Sequence, residues 1–168
     1  NFGLIYGISS FGLAKQLRID NSEAKEFIDK YFLKYSGVKK FMSDIKKEAK
    51  VQGYVKTLAG RKIFLPNITH SNFQIRSAAE RTAINAPIQG TAADILKLAM
   101  IQIDNWLLSE DGNIKMLMQV HDELVFEVKN SFVEGAKEKI DNLMSNCSKL
   151  DVPLIVDVGL GNNWETAH

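Results

Sequence analysis

The spacing of apolar residues predicts a chain built mainly from helices. Apolar side chains recur every three or four positions over 24–35 and again over 38–49, which is the period of an amphipathic helix. Polar side chains at 20–22 offer N-cap oxygens for the first of these helices. Gly37 is its predicted C′ residue, and Gly53 is predicted to close the second helix.

Helical spacing returns in the later part of the chain. Residues 71–86 and 91–108 both follow it, as does the segment 132–147. Pro87 has no backbone N–H to donate, so we expect it to start a new segment rather than to lie inside one continuous helix. The segment 1–7 is expected to form the last turns of a helix.

Short stretches of β-type residues complete the pattern. Residues 54–58 and 61–65 predict two strands joined at Ala59-Gly60. A strand pair is predicted over 115–128, and a last strand over 154–160. Helices beside a few mostly antiparallel strands, without regular alternation, predict an α+β fold in which helices pack on a small sheet.

Composition narrows the class of protein. The chain has 168 residues, 45% of them apolar and 24% charged, as in an ordinary globular domain. Its apolar runs are too short for a membrane span, and no signal peptide is visible. A lone Cys147 excludes an internal disulfide and a cysteine-rich zinc site, and this fits a reducing cytosol. Because the sequence starts with Asn1 instead of Met, we expect a piece of a longer protein.

The net charge of +1 conceals two halves of opposite sign. Residues 1–84 carry 15 lysines and arginines against 7 acids, a net +8, and residues 85–168 carry 6 against 13, a net −7. A basic half suits a polyanion such as nucleic acid, and an acidic half suits divalent cations. A solvated helical surface is the alternative for any single lysine. The clustered basic residues are Lys39, Lys40, Lys46, Lys47, Lys50, Lys56, Arg61, Lys62, Arg76 and Arg81.

Two adjacent acids, Asp122 and Glu123, interrupt an apolar stretch from 116 to 128. The flanks are apolar enough for interior strands, so we expect the acids at a hairpin tip, where His121 and Asp122 tolerate turn geometry. A carboxylate held there suits Mg²⁺, but a tight turn whose acids face water explains the same residues equally well. Neighbouring residues of an extended chain point to opposite faces, so a two-ion site would need ligands from another segment.

Phe2 and Tyr6 lie four positions apart, as do Gly3 and Gly7, which on a helix gives an aromatic stripe beside a glycine stripe. Glycines weaken a helix and therefore need a reason, such as close approach by another group. A base that stacks on the aromatic stripe would supply one. Ordinary core packing of the two aromatic side chains is the alternative.

Arg81, Asn85 and Gln89 also repeat every four residues, and together with His121 they form a set of hydrogen-bond donors. The minor groove of DNA presents acceptors at similar places for every correct base pair, so such donors would test the shape of a pair without reading its sequence. Helix capping and surface polarity around Pro87 are the alternative.

The chain resembles the C-terminal part of the polymerase domain of family A DNA polymerases, of the bacterial DNA polymerase I type. The resemblance covers essentially the whole chain, and its segments together are highly specific. The segments, in the family's order, are NFGLIYG at 1–7, TLAGRK at 57–62, APIQGTAAD at 86–94 and QVHDELV at 119–125, with GNNWETAH at 161–168 similar to the family's C-terminus.

This resemblance implies an α+β part of a right-hand polymerase. Residues 1–71 would be the C-terminal part of the fingers, and residues 72–168 a portion of the palm with the catalytic hairpin. The implied activity is template-directed DNA synthesis in replication and repair, in which two Mg²⁺ ions assist transfer of deoxynucleotides to a primer 3′ end. Primer–template DNA and deoxynucleoside triphosphates are the implied partners.

The resemblance also implies roles for single residues. Phe2 and Tyr6 would bind the incoming nucleotide and the nascent pair. Asp122 would be catalytic as a ligand of Mg²⁺, and Glu123 would be a supporting catalytic acid. The residues implied to contact primer–template DNA are Arg81, Asn85, Gln89 and His121.

Other parts of the family pattern are expected upstream of this sequence. They are the arginine and lysine that grip the triphosphate, a second metal-binding aspartate, and the thumb. The resemblance therefore implies the remainder of the polymerase chain as a partner and little activity for the 168 residues alone. A non-catalytic DNA-binding module with structural acids is the alternative, and a metal-dependent nuclease at 121–123 is a third hypothesis. We expect a bacterial, cytoplasmic, nucleoid-associated protein without a membrane segment.

Overall fold

The structure, a computed structural model, describes residues 2–167, except the side chain of Phe2. The chain divides into two compact units, Asn1–Thr91 and Ala92–His168, which are described separately below. The predicted division into fingers at 1–71 and palm at 72–168 rests on family roles and stays a prediction.

The first unit consists of helices around one short hairpin. Its elements are α1 (Phe2–Ile5), α2 (Ser10–Leu17), α3 (Asn21–Lys34), α4 (Ser36–Gln52), β1 (Tyr54–Lys56), β2 (Lys62–Phe64) and the first part of α5 (Phe73–Leu107). The second unit begins within α5 and continues with β3 (Ile114–Val120), β4 (Glu123–Val128), a 3₁₀ turn (Asn130–Phe132), α6 (Val133–Ser145) and α7 (Trp164–Ala167). Helices beside antiparallel strand pairs confirm the α+β class.

Small apolar cores hold these elements together. In the first unit, one core packs the hairpin between α4 and α5, and another joins α1, α2 and α3. In the second unit, the end of α5 packs against β3 and α6 around Ile103, which is fully buried. Cys147 is buried as well, its Sγ donates to the Ile95 carbonyl over 3.6 Å, and burial raises the pKa of its thiol.

The hairpin β1–β2 is short but firmly anchored. The strands pair antiparallel, with Val55 opposite Ile63, and Val55 is fully buried in the core. Gly60 lies in the turn with φ +83° and donates its N–H to the Thr57 carbonyl over 2.9 Å. The predicted turn at Ala59-Gly60 is confirmed, and it depends on the left-handed conformation that glycine adopts without a steric penalty.

The predicted end of α3 at Gly37 is wrong. The break lies at Tyr35, with φ −109° and ψ 57°, and α4 begins at once with Ser36. The rings of Tyr31 and Tyr35 lie 4.8 Å apart across the last turn of α3, and the break after this turn contains no glycine. Gly37 lies in the first turn of α4. Gly53 does close α4, with φ +75°.

The expected break at Pro87 is also wrong, because α5 runs from Phe73 to Leu107 with Pro87 inside it. Proline inside a helix removes one backbone hydrogen bond and crowds the carbonyl four residues earlier. Here the Thr91 hydroxyl donates to the Pro87 carbonyl over 2.6 Å, which adds a bond across this turn.

The predicted strand over 154–160 is not formed. Half-buried and exposed side chains alternate there, as in an extended chain, yet the segment is not paired with any strand among the described residues. A strand needs a neighbour for its backbone donors and acceptors, so alternation alone does not make one. Instead the end of the segment lies against the last helix, where a Cβ on Gly159 would lie 2.9 Å from the Ala167 carbonyl carbon.

None of the helices within residues 2–167 has the length and the apolar character needed to cross a membrane.

Candidate functional site

Tyr6 lies at the C-terminal end of α1, where a Schellman motif ends the helix. The Ile8 N–H donates to the Gly3 carbonyl over 2.7 Å, and the Gly7 N–H donates to the Leu4 carbonyl over 3.1 Å. Gly7 has φ +78°, so its conformation explains this glycine without a close ligand. The predicted glycine stripe on one helix is therefore wrong, because Gly7 follows the helix. The predicted role of Phe2 concerns a side chain outside the described residues.

Tyr6 contacts one of the predicted DNA-binding residues. Gln89 Nε2 donates to the Tyr6 hydroxyl over 3.1 Å. One turn and two turns earlier on α5 lie Asn85 and Arg81, and a Cβ on Gly7 would stand 3.8 Å from Arg81 Cγ. Because α5 continues through Pro87, the spacing of four places all three side chains on the same face of one helix.

Asn85 is more buried than the other two residues on this face of α5. Arg81 and Gln89 are exposed, whereas Asn85 is half-buried. Its Oδ1 is buried, and no hydrogen-bond partner for that atom is found in the described part of the chain. Leaving a buried acceptor unsatisfied costs on the order of 1–3 kcal/mol.

The carboxylates at 122 and 123 lie at the hairpin tip that the sequence predicts. Val120 pairs with Glu123, so His121 and Asp122 form the two-residue turn. His121 adopts φ +53°, and its carbonyl accepts from Gln119 Nε2 over 2.8 Å. Asp122 is exposed at the tip, while Glu123 is half-buried at the start of β4.

The strand that leads to this tip is less buried than expected. Leu117 and Met118 of β3 are 55% and 42% exposed, although an interior strand was predicted. Their position coincides with an irregularity, because Met116 pairs with Phe126 and Met118 pairs with Val125. The extra residue on β3 is a β-bulge, which bends the strand before the turn.

The side chains at the hairpin tip meet only part of the needs of a magnesium ion. Magnesium prefers carboxylate oxygens, and exposed Asp122 offers them without rearrangement of the turn. Within residues 2–167, no three His, Cys, Asp or Glu side chains lie close enough to form a metal site. The hairpin tip can therefore supply some of the ligands of a magnesium site but not all of them.

Some of the clustered basic residues of the first unit form ion pairs within that unit. Lys50 Nζ lies 2.6 Å and Lys46 Nζ 3.9 Å from carboxylate oxygens of Glu80, and the hydrogen bond from Lys50 lowers the pKa of Glu80. Lys40 pairs with Asp44 over 2.7 Å. These charges are at least partly balanced within the chain, as the solvated-surface alternative predicts.

Arg76 and His70 also have structural contacts. The Arg76 guanidinium donates to the carbonyls of His70 and Ser71 over 2.8 and 3.1 Å. The His70 Nδ1 accepts from the Asn72 N–H over 3.0 Å, and Asn72 Oδ1 caps α5 by accepting from the Gln74 N–H over 2.8 Å. Together these bonds hold the turn that starts α5.

One contact next to Gln89 was missed by the sequence reasoning. Arg61 Nη2 donates to the Gly90 carbonyl over 3.0 Å, and Leu58 N–H donates to Thr91 Oγ1 over 3.0 Å. Both TLAGRK and APIQGTAAD are motifs of the family resemblance, but no periodicity or spacing in the sequence indicates that they touch. Only the tertiary fold brings the hairpin turn onto α5.

Known proteins match this chain over essentially its whole length. The family model described as DNA polymerase family A matches residues 1–166. The DNA polymerase I of Pseudomonas aeruginosa is 53% identical over 168 residues, all of this chain and 18% of that protein. The DNA polymerase I of Streptococcus pneumoniae is 50% identical over 167 residues, 99% of this chain and 19% of that protein.

A solved structure agrees with these sequence matches. The POL domain of Pol1 from M. smegmatis, in complex with DNA primer–template and dNTP, superposes with a TM-score of 0.95 at 44% identity. The match covers 99% of this chain and 29% of that one. The chain thus spans about a fifth of the length of the two curated relatives.

Proposed function

Because this chain belongs to DNA polymerase family A, we propose that it forms part of the site at which a DNA polymerase extends a primer on a template. The relatives named DNA polymerase I, and the relative solved with primer–template and dNTP, support this proposal. The single structural observation that carries it is the exposed carboxylate of Asp122 at a hairpin tip, between two paired strands.

In this proposal the first unit supplies DNA and nucleotide contacts. The common face of α5 offers donors from Arg81, Asn85 and Gln89, which suit the acceptors in the minor groove. Gln89 has a second amide N–H besides the one that meets Tyr6. Tyr6 at the end of α1 offers a flat ring beside these donors, and a base pair can stack on such a ring.

The second unit supplies the acidic residues. Asp122 would hold Mg²⁺ together with ligands from outside residues 2–167, and Glu123 and His121 would lie next to it. Magnesium, when bound, offsets the negative charge that develops on phosphate oxygens during nucleotidyl transfer. The task of the hairpin is to hold the Asp122 carboxylate in place beforehand, since a preorganised ligand needs no rearrangement during the reaction.

The proposal extends to partners and location. Primer–template DNA, deoxynucleoside triphosphates and the remainder of the polymerase chain are the proposed partners. The bacterial relatives support a cytoplasmic protein that works at the nucleoid.

Primer extension by the complete polymerase tests the proposal. Asp122→Asn keeps the size of the side chain but removes its charge, and we expect it to abolish extension while DNA affinity is retained. Asp104→Asn, at an exposed position of α5, is the matched control and should extend normally. If Asp122→Asn extends primers as fast as the control does, the acids are structural and the DNA-binding alternative is correct.

A further inference from the structure

We propose that the turn of the first hairpin is a brace that positions Gln89. The brace consists of Thr57, Leu58 and Arg61, which contact Gly90 and Thr91 of α5. Arg61 and Thr57 are thus positioning residues, which act on the reaction only through Gln89. This inference rests on the proposed function for the role of Gln89, but not for the brace itself.

The helix needs support at this point because of Pro87. Proline has no N–H for the carbonyl four residues earlier, so one rung of the α5 hydrogen-bond ladder is missing just before Gln89. Helices bend at such gaps unless other contacts fix them. A contact from outside the helix at this point therefore helps to hold Gln89 where its side chain meets Tyr6.

Two hydrogen-bonded contacts from the hairpin turn supply that support. In the first, the Leu58 N–H donates to Thr91 Oγ1 over 3.0 Å, and the Thr91 hydroxyl donates to the Pro87 carbonyl over 2.6 Å. In the second, Arg61 Nη2 donates to the Gly90 carbonyl over 3.0 Å. Gln89 lies between Pro87 and Gly90, whose carbonyl groups accept these hydrogen bonds.

Gly90 allows the hairpin to come this close. A Cβ at position 90 would lie 2.6 Å from Thr57 Cγ2 and 3.0 Å from Ile63 Cδ1. Gly90 has no unusual φ, so its lack of a side chain matters here for space and not for conformation. Thr57 itself is 5% exposed, and its Oγ1 accepts from the Arg61 N–H over 3.2 Å, which fixes the turn that carries Arg61.

A double-mutant cycle in the complete polymerase tests the brace. Arg61→Ala and Gln89→Ala are each expected to slow single-nucleotide incorporation about tenfold, the size of one lost hydrogen bond. If Arg61 acts through Gln89, Arg61→Ala slows the Gln89→Ala enzyme by less than about twofold. Lys25→Ala, an exposed basic residue of α3, is the control for charge and should leave the rate unchanged.

The inference would be overturned if the two rate reductions multiply in the double variant. It would also be overturned if Arg61→Ala alone leaves the incorporation rate unchanged. Hydrogen exchange of the amides at 88–92 in the same variants supplies a readout independent of activity. We expect faster exchange in Arg61→Ala and unchanged exchange in Lys25→Ala. If the wild-type protein fails to extend primers, the proposed function is lost, but the exchange result still decides whether the brace exists.

Discussion

Gln89 and Tyr6 are joined by a hydrogen bond of 3.1 Å although 83 positions separate them in the sequence. The bond links the end of α1 to the face of α5 that carries Arg81 and Asn85. A residue predicted to bind nucleotide and a residue predicted to bind DNA are therefore in direct contact within the first unit.

This bond should stabilise the end of α1. Gln89→Ala is expected to speed amide exchange at residues 6–8 by about two- to tenfold, because a typical hydrogen bond contributes about 0.5–1.5 kcal/mol. Tyr6→Phe should act similarly, and the double variant should exchange little faster than either single one. Gln16→Ala, at an exposed position of α2, is the control. Equal exchange in Gln89→Ala and the control would show that the bond does not hold this segment.

The two glycines of the NFGLIYG segment should respond in opposite ways to alanine. Gly7→Ala forces a side chain into φ +78° and should lower the free energy of unfolding by about 1 kcal/mol. Gly3→Ala puts a Cβ at 3.5 Å from Ile8, an ordinary contact, and should be neutral or stabilising by up to about 1 kcal/mol. Urea denaturation of the two variants measures both effects, and an equal loss at both positions would contradict the Schellman interpretation.

The ion pair of Glu80 predicts a pH dependence of stability. The pKa of Glu80 lies below its usual 4.5, mainly because Lys50 donates a hydrogen bond to the carboxylate. A lowered pKa in the folded state stabilises the fold above the usual pKa, and the stabilisation is lost as the pH falls through the folded-state pKa. At pH 7, Glu80→Gln should cost about 0.5–1 kcal/mol, since the pair is partly exposed.

At pH 3 the cost of Glu80→Gln should be much smaller. Glu48→Gln on α4, an exposed acid, should show little change at either pH. Thermal denaturation at the two pH values measures the difference. A cost for Glu80→Gln that is the same at pH 3 and pH 7 would refute this explanation.

The packing of Thr57 on Gly90 predicts a compensating pair of substitutions. Gly90→Ala should lower the stability of the complete polymerase by about 1–3 kcal/mol, because the added methyl overlaps Thr57 Cγ2. Thr57→Ser removes that methyl and keeps the hydroxyl, so the double variant should recover part of the loss. Full recovery is not expected, because Ile63 also lies close. A double variant no more stable than Gly90→Ala alone would contradict this packing.

Local signals in the sequence predict much of this fold. Apolar periodicity locates α3, α4 and α6, and the Ala59-Gly60 turn and the hairpin tip at His121-Asp122 follow from residue type. These features depend on neighbours along the chain. The family motifs predict site roles for Tyr6, Gln89 and Asp122, and these roles stay predictions.

Tertiary contacts override the same signals elsewhere. Residue type predicts breaks at Gly37 and Pro87, but the first break lies at Tyr35, and α5 continues through Pro87. Alternation suggested a strand over 154–160, but pairing needs a neighbour that no local pattern reveals. The contact of Arg61 with Gly90 depends on the fold in the same way.

The rate of a single incorporation, measured beside the affinity for primer–template, tests most directly whether Asp122 serves catalysis. In the complete polymerase we expect Asp122→Asn to slow incorporation at least about a hundredfold relative to Asp104→Asn. The dissociation constant for DNA should change by less than about threefold, because an exposed acid adds little to DNA binding. An incorporation rate equal to that of Asp104→Asn would contradict the catalytic role of the hairpin tip.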